Sequence, residues 1–357
     1  MTIKRRDFVV LTSAAVAIQT LDFSKLAIAS SADQADGIYG QGKWKYRQLK
    51  GWGVQDPAKV PINNLHEIVQ DRAGNIYVLG DHSKNNILVY KPDGTLVKTL
   101  LDGLNAGHGL NISQEDGTEF LWVTNTDGNN AFVRKITLDG ETVLEIKRPT
   151  EGPYANPEVR YLPTEVEINP KNGDIYIADG YGANLLTHYD KTGKLLNIYG
   201  NFDDPKQRYN CMHGVRLDFR NPEHPLLWLT SRVDQEIRLV TLDGELKEII
   251  KFPGVGPCRA TFVGDHVVIP IIWVDPIGDA GRGPGFVLIL GPDNKPVSMI
   301  GGRQRELESG EKHFAQEQRE NIPFIFPHDT YIDAKGDLYV AQWNSSQTYP
   351  LKFERIA

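Results

Sequence analysis

A chain of 357 residues, 40% hydrophobic and 24% charged, can bury a large core and lacks the composition of a disordered segment. Its net charge of −7 argues against nucleic acid as a partner. No apolar run beyond the N-terminus reaches the ~20 residues of a membrane span.

Residues 1–29 read as an export signal. Lys4-Arg5-Arg6-Asp7-Phe8-Val9-Val10 resembles the twin-arginine motif, an apolar stretch runs from Val9 to Ile18, and Ala27-Ile28-Ala29 is an A-x-A cleavage site. The expected mature protein begins after Ala29 and lies in the periplasm or outside the cell, where Cys211 and Cys258 are permitted to pair. Residues 30–60 form an extension, in which Lys43 to Leu49 offers an outer strand to close a ring.

Residues 61–357 repeat one pattern six times: an apolar strand, a Gly turn, a second strand, a polar loop, and two further strands. In the third repeat Pro163 to Ile168 alternates as a strand, Asn172-Gly173 turns, and Asp174 to Ala178 follows. The loop 179–184 leads into 185–189, and Thr192-Gly193 turns into 194–199. Equivalent turns recur at Gly74, Gly94, Gly140, Gly244 and Gly336, with Pro292-Asp293-Asn294 in the fifth repeat. Such regular short strands predict an all-β fold, a six-bladed β-propeller forming a single domain. The charged stretch from Arg303 to Asn321 is expected as a surface excursion, and Trp273 to Pro284 as a pocket wall.

Aligning the repeats gives two rings of side chains. The first is His66, His108, Thr164, His213, Cys258 and His328; the second is Glu67, Gly109, Glu165, Gly214, Arg259 and Asp329. Four of the nine histidines share one repeat position on strands that line the channel. Alternate blades of a six-fold ring lie about 120° apart, so His108, His213 and His328 should converge on the axis. Three neutral imidazoles with a free fourth position suit Zn²⁺. His66 has the same register on an odd blade and is expected to hold a ligand or substrate. Asp329, next in the strand after His328, should point to the opposite side.

His108-Gly109-Leu110, Met212-His213, Pro327-His328-Asp329 and Asp179-Gly180-Tyr181 resemble signatures of the peptidyl-hydroxyglycine amidating lyases, which are propellers of NHL type. The resemblance covers most of the chain after residue 60. It implies a zinc-dependent lyase that splits a carbinolamide, with Tyr181 as the catalytic phenol and Arg232, in the equivalent loop of the fourth repeat, matching a catalytic arginine of the family pattern. It also implies a structural Ca²⁺ held by Asp329 and the Leu110 carbonyl. One departure stands out. The family's carboxylate-gripping arginine is missing from the first-repeat loop, where His82 and Lys84 stand instead, and Arg259 is an inner-ring substitute. The family's disulfide cysteines are also missing.

The expected partner is a small-molecule or peptide-derived substrate, and the expected state a monomer. Two rival readings use the same scaffold: a metal-dependent hydrolase or sugar-modifying lyase, and a non-catalytic binding module. The first is separated by substrate screening, the second by absence of bound metal.

Overall fold

Short apolar strands bounded by left-handed turns need partners on both sides, and here they find them in six four-stranded antiparallel blades. The computed structural model describes residues 16–26, 37–201, 207–275, 282–307, 309–316 and 322–356. Blade one comprises Leu65–Gln70, Ile76–Gly80, Ile87–Tyr90 and Leu96–Leu100. Blade two comprises Gly107–Glu115, Thr118–Asn125, Phe132–Thr137 and Thr142–Lys147. Blade three is Glu165–Ile168, Ile175–Ala178, Leu186–Tyr189 and Leu195–Tyr199. Blade four is Met212–Asp218, Leu226–Ser231, Glu236–Thr241 and Leu246–Lys251. Blade five begins with Val255–Pro257, continues at Thr261–Val263, and adds His266–Val274, Gly283–Leu290 and Pro296–Ile300.

Blade six is assembled from both ends of the chain. Pro327–Ile332, Leu338–Gln342 and Leu351–Arg355 supply three strands, and Trp44–Gln48 pairs with the last of them as the fourth. Ile38–Gln41 adds a fifth strand outside it. This closure leaves no open edge between the first and last blades.

The turns need glycine for a physical reason. Gly173 and Gly244 have φ of +81° and +91°. A Cβ on Gly244 would stand 2.3 Å from the Tyr199 ring, so any other residue there is both strained and obstructed.

The apolar faces pack between neighbouring blades rather than on the axis. Leu79, Ile87 and Val89 of blade one meet Leu110, Leu121 and Phe132 of blade two in one buried cluster. Val268, Val287 and Ile289 of blade five meet Tyr46, Val340 and Phe353 of blade six in another. The axis itself is left to polar side chains.

The stretch after blade five forms a hairpin, Gly302–Glu306 with Lys312–Gln316, whose Phe314 is fully buried against Phe286 and Phe23. Ala17–Thr20 runs parallel to the outer strand of blade four, and Leu21 and Phe23 are buried beyond it. The twin-arginine motif and Ala27-Ile28-Ala29 lie outside the described residues. So does part of the loop between Trp273 and Pro284. Cys211 and Cys258 are free thiols. Among the described residues, no helix is long and apolar enough to cross a membrane.

Candidate metal centre

Four inner strands share a defect at the same place. In blades one, four and six the ladder skips a residue between Leu65 and Glu67, Met212 and Gly214, and Pro327 and Asp329. In blade two the shift lies between Gly107 and Leu110. The extra residue in each bulge is a histidine or is adjacent to one. A bulge re-aims its side chain and breaks the alternation of the strand. His66, His108, His213 and His328 all turn into the channel as a result. Ring centroids of His66 and His108 are 4.6 Å apart, those of His108 and His213 are 4.6 Å apart, and those of His213 and His328 are 4.7 Å apart. His66 and His328 are 4.8 Å apart, which closes the group.

Asp329 faces the channel one layer below His328, apart from the imidazoles and against Arg259 of blade five.

All four imidazoles are at most 5% exposed. Burial holds His108, His213 and His328 well below the usual histidine range, reinforced by neighbouring histidines and Arg232. They are neutral, the form that ligates metals. Their partners then decide which nitrogen carries the proton. His108 Nδ1 lies 2.8 Å from the Thr164 carbonyl, and His328 Nδ1 lies 2.9 Å from the His66 carbonyl. A carbonyl only accepts, so both Nδ1 atoms are protonated and both Nε2 atoms carry lone pairs. His66 Nε2 faces the Asp81 carboxylate at 3.6 Å, which leaves its buried Nδ1 with no hydrogen-bond partner. Ligand atoms of His66, His108 and His328 lie within 4.8 Å of one another.

His213 is arranged the other way. Arg232 Nη2 donates to its Nδ1 at 2.6 Å. A guanidinium cannot accept, so the proton of His213 sits on Nε2, which faces the Tyr181 hydroxyl oxygen at 2.8 Å. The histidine trio brought together with free lone pairs therefore includes His66, where the sequence reading placed His213.

Tyr181 is carried by a loop that Asp179 organises. The carboxylate of Asp179 accepts from Leu162 N at 2.6 Å, Ala183 N at 2.7 Å and the Tyr154 hydroxyl at 2.6 Å. Gly180 and Gly182 are required for closeness, since a Cβ on either would overlap Met212 O or the Asp179 carboxylate. Tyr181 is 41% exposed as a residue, yet its hydroxyl reaches inward between His213 and His108, 3.3 Å from His108 Nε2. Burial pushes its phenol up to about 12, with Arg232 opposing. At neutral pH it is a proton donor.

Arg232, 3% exposed, also donates to Pro257 O at 3.3 Å and to Cys258 Sγ at 3.0 Å, and its guanidinium lies 5.6 Å from the Trp273 ring centroid. Burial raises the Cys258 thiol to about 11, so it stays uncharged. Among the described residues no carboxylate pairs with Arg232, which leaves its charge uncompensated beside the histidines.

Below this level Arg259 fills the axis. It is 1% exposed, and its Nη1 lies 2.8 Å from Leu110 O, 3.3 Å from Glu165 Oε1 and 2.5 Å from Glu67 Oε2. Its Nη2 and Nε bind Asp329. Burial pushes Glu67 and Glu165 above the usual carboxylate range, with Arg259 opposing. The two oxygens expected to hold calcium, from Asp329 and Leu110, are thus both taken by a guanidinium, and a calcium ion does not fit between them. Fully buried and committed to these groups, Arg259 is not available to a substrate.

His82 and Lys84 stay on the blade-one loop, where Lys84 N donates to His82 Nδ1, and neither contacts the histidines. The residue of that loop that does reach them is Asp81. Nothing in the sequence marks it, because its contact with His66 crosses from one strand to the next. Asn64 holds it in place through its backbone N at 2.9 Å and Nδ2 at 2.8 Å.

No family model matches the chain. Among solved structures it is similar to a gluconolactonase from Xanthomonas campestris, at 13% identity and a TM-score of 0.56, over 97% of this chain and 99% of that one. A second structure assigned as a gluconolactonase matches at 12% identity and a TM-score of 0.56, over 89% of this chain and 92% of the other. At these identities the similarity establishes the propeller fold.

Proposed function

We propose that the protein is a metal-dependent hydrolase acting on esters of the lactone class. One observation carries this reading: three buried imidazole lone pairs converge beside a protonated phenol and an unpaired guanidinium. His66, His108 and His328 would hold the ion, and the orphaned Nδ1 of His66 is the strongest sign that they fit one. A bound divalent metal such as zinc would supply a Lewis acid that polarises a carbonyl and makes water a better nucleophile.

The chain's own residues have the remaining tasks. Arg232 offers positive charge to the oxygen that gains negative charge as the carbonyl is attacked. His213, with its proton fixed on Nε2, holds the Tyr181 oxygen; the His108 Nε2 lone pair, which otherwise accepts the phenolic proton, would be taken by the ion, leaving that proton to point at a substrate. Tyr181 then donates that proton to the departing alkoxide as the ester bond opens, and the proton lost by the attacking water returns to the phenolate. That the Xanthomonas protein of this fold is a gluconolactonase makes sugar lactones the first substrates to try.

A second reading keeps the lyase chemistry. The placement of Tyr181 on two imidazoles favours it, because the same phenol could manage the proton of a carbinolamide hydroxyl. The two readings differ in product. The zinc-reconstituted protein should open lactones with release of acid, and a chelator should stop it. Glyoxylate release from a hydroxyglycine amide, with lactones inert, would replace the hydrolase by the lyase. A purified protein that binds no divalent metal sinks both.

A further inference from the structure

One residue below the histidines, the same strands build a second ring of opposite character. Glu67, Glu165 and Asp329 approach the axis from blades one, three and six, and each is at most 1% exposed. With the Leu110 carbonyl of blade two they form a set of hard oxygen donors drawn from four blades, the kind of set that suits a divalent cation. The fifth blade fills it. Arg259 reaches all four groups, at 2.5 Å from Glu67, 3.3 Å from Glu165 and 2.8 Å from the Leu110 carbonyl, and in direct contact with Asp329. Asp329 passes the connection on to blade one by accepting from Ile68 N at 2.9 Å.

Two glycines make the approach possible. A Cβ on Gly214 would lie 2.8 Å from Arg259 Cα, and one on Gly109 would lie 3.0 Å from Glu165 Cα. The ring positions of blades two and four are therefore emptied so that the arginine and its acceptors can close on the axis. The planar fork of arginine is suited to this, since its several donors can serve carboxylates from different directions at once.

We infer that Arg259 is a resident cation at the propeller axis, filling with a side chain the place a divalent ion would need, so that the fold is independent of calcium. The guanidinium then ties blades one, two, three and six to blade five permanently, with no ion to lose. Removing it leaves three buried acidic groups without the cation that opposes their burial, which is costly unless another cation enters.

The test is thermal unfolding of the full chain in zinc-supplemented, calcium-free buffer and across a titration to millimolar calcium. The wild-type midpoint should not move with calcium. Arg259→Ala should lower it by on the order of 5–10 °C, and calcium should restore about half of that loss or more in a dose-dependent way. Arg259→Lys, which keeps the charge with fewer donors, should fall between the two and ignore calcium. If Arg259→Ala cannot be recovered folded, the wild type and Arg259→Lys decide alone. A calcium-dependent midpoint in either one, or one equivalent of tightly bound calcium in the wild type, overturns the inference, as does a folded Arg259→Ala indifferent to calcium.

Discussion

The histidine ring and the arginine ring stand one residue apart on the same strands, yet they solve opposite problems. In the lower ring the charges meet at one guanidinium across five blades. In the upper ring three nitrogens keep lone pairs and one has no partner at all. A fold gains nothing from burying unsatisfied nitrogen, which costs about 1–3 kcal/mol per group. The upper ring is therefore better explained by something it binds. The lower ring also buries two carboxylate oxygens without a hydrogen-bond partner, Glu67 Oε2 and Glu165 Oε2, but there the Arg259 guanidinium supplies an opposite charge from within the chain. The lesson is that depth along a propeller axis, changed by a single residue, separates a structural polar cluster from a chemical one.

His328 and Asp329 give the sharpest way to break this contrast, since they are neighbours with the largest expected effects. Asp329→Ala strips Arg259 and Ile68 N of an acceptor and should cost about 3–5 kcal/mol in urea unfolding. His328→Ala should cost much less stability but reduce bound metal from about one ion per chain to near zero. His66→Ala and His108→Ala should do the same. His213→Ala should keep its metal, because its free nitrogen carries a proton rather than a lone pair. Elemental analysis beside unfolding curves checks all of these. Equal loss of stability at residues 328 and 329, with equal metal, would erase the distinction between the rings.

Tyr181→Phe sharpens the same contrast within the upper ring. A positioned proton donor is worth about 10²–10⁴-fold in turnover. The substitution leaves the ring in place and removes only the hydroxyl that meets His213 and His108. kcat should drop by that order while metal content stays constant and stability changes by no more than about 1–2 kcal/mol. A variant keeping more than half of wild-type turnover would show that the tyrosine only lines the mouth.

The rings were legible in the sequence because the repeat is. Turn glycines such as Gly173 and Gly244 mark the blades, and counting from them aligns the four histidines and the charged positions below. What could not be read was local geometry set by partner strands. A bulge is a property of two strands in register, so strict alternation alone could not show how His328 and Asp329 both come to face the channel. Arg259 looked available to a substrate because nothing in its neighbourhood of sequence reveals that Glu67, Glu165 and Asp329 arrive from three other blades. His213 looked like a metal ligand until Arg232, nineteen residues on, proved to hold its other nitrogen. The phenol of Tyr181 and the guanidinium of Arg232 were singled out by resemblance, and the structure brings both to the histidines.

Asp81 offers the smallest and most specific test. Burial alone would raise its carboxyl, but the contact with His66 and the donors of Asn64 outweigh that and hold it below the usual carboxylate range. It is therefore ionised at neutral pH, and a carboxylate opposite Nε2 keeps the His66 proton there and its Nδ1 lone pair on the axis. Losing such a partner typically weakens metal affinity by about 10–100-fold without removing a ligand. Asp81→Ala should accordingly bind zinc at full stoichiometry but more weakly by that factor, measured by competition with a chromophoric chelator. Asp81→Asn should retain part of the affinity, since its amide oxygen still presents a negative dipole to Nε2. His82→Ala and Lys84→Ala, on the same loop but away from the imidazoles, should change nothing. If Asp81→Ala binds zinc as tightly as the wild type, His66 is not held by this carboxylate. The ligand trio would then have to be sought among His108, His213 and His328 instead.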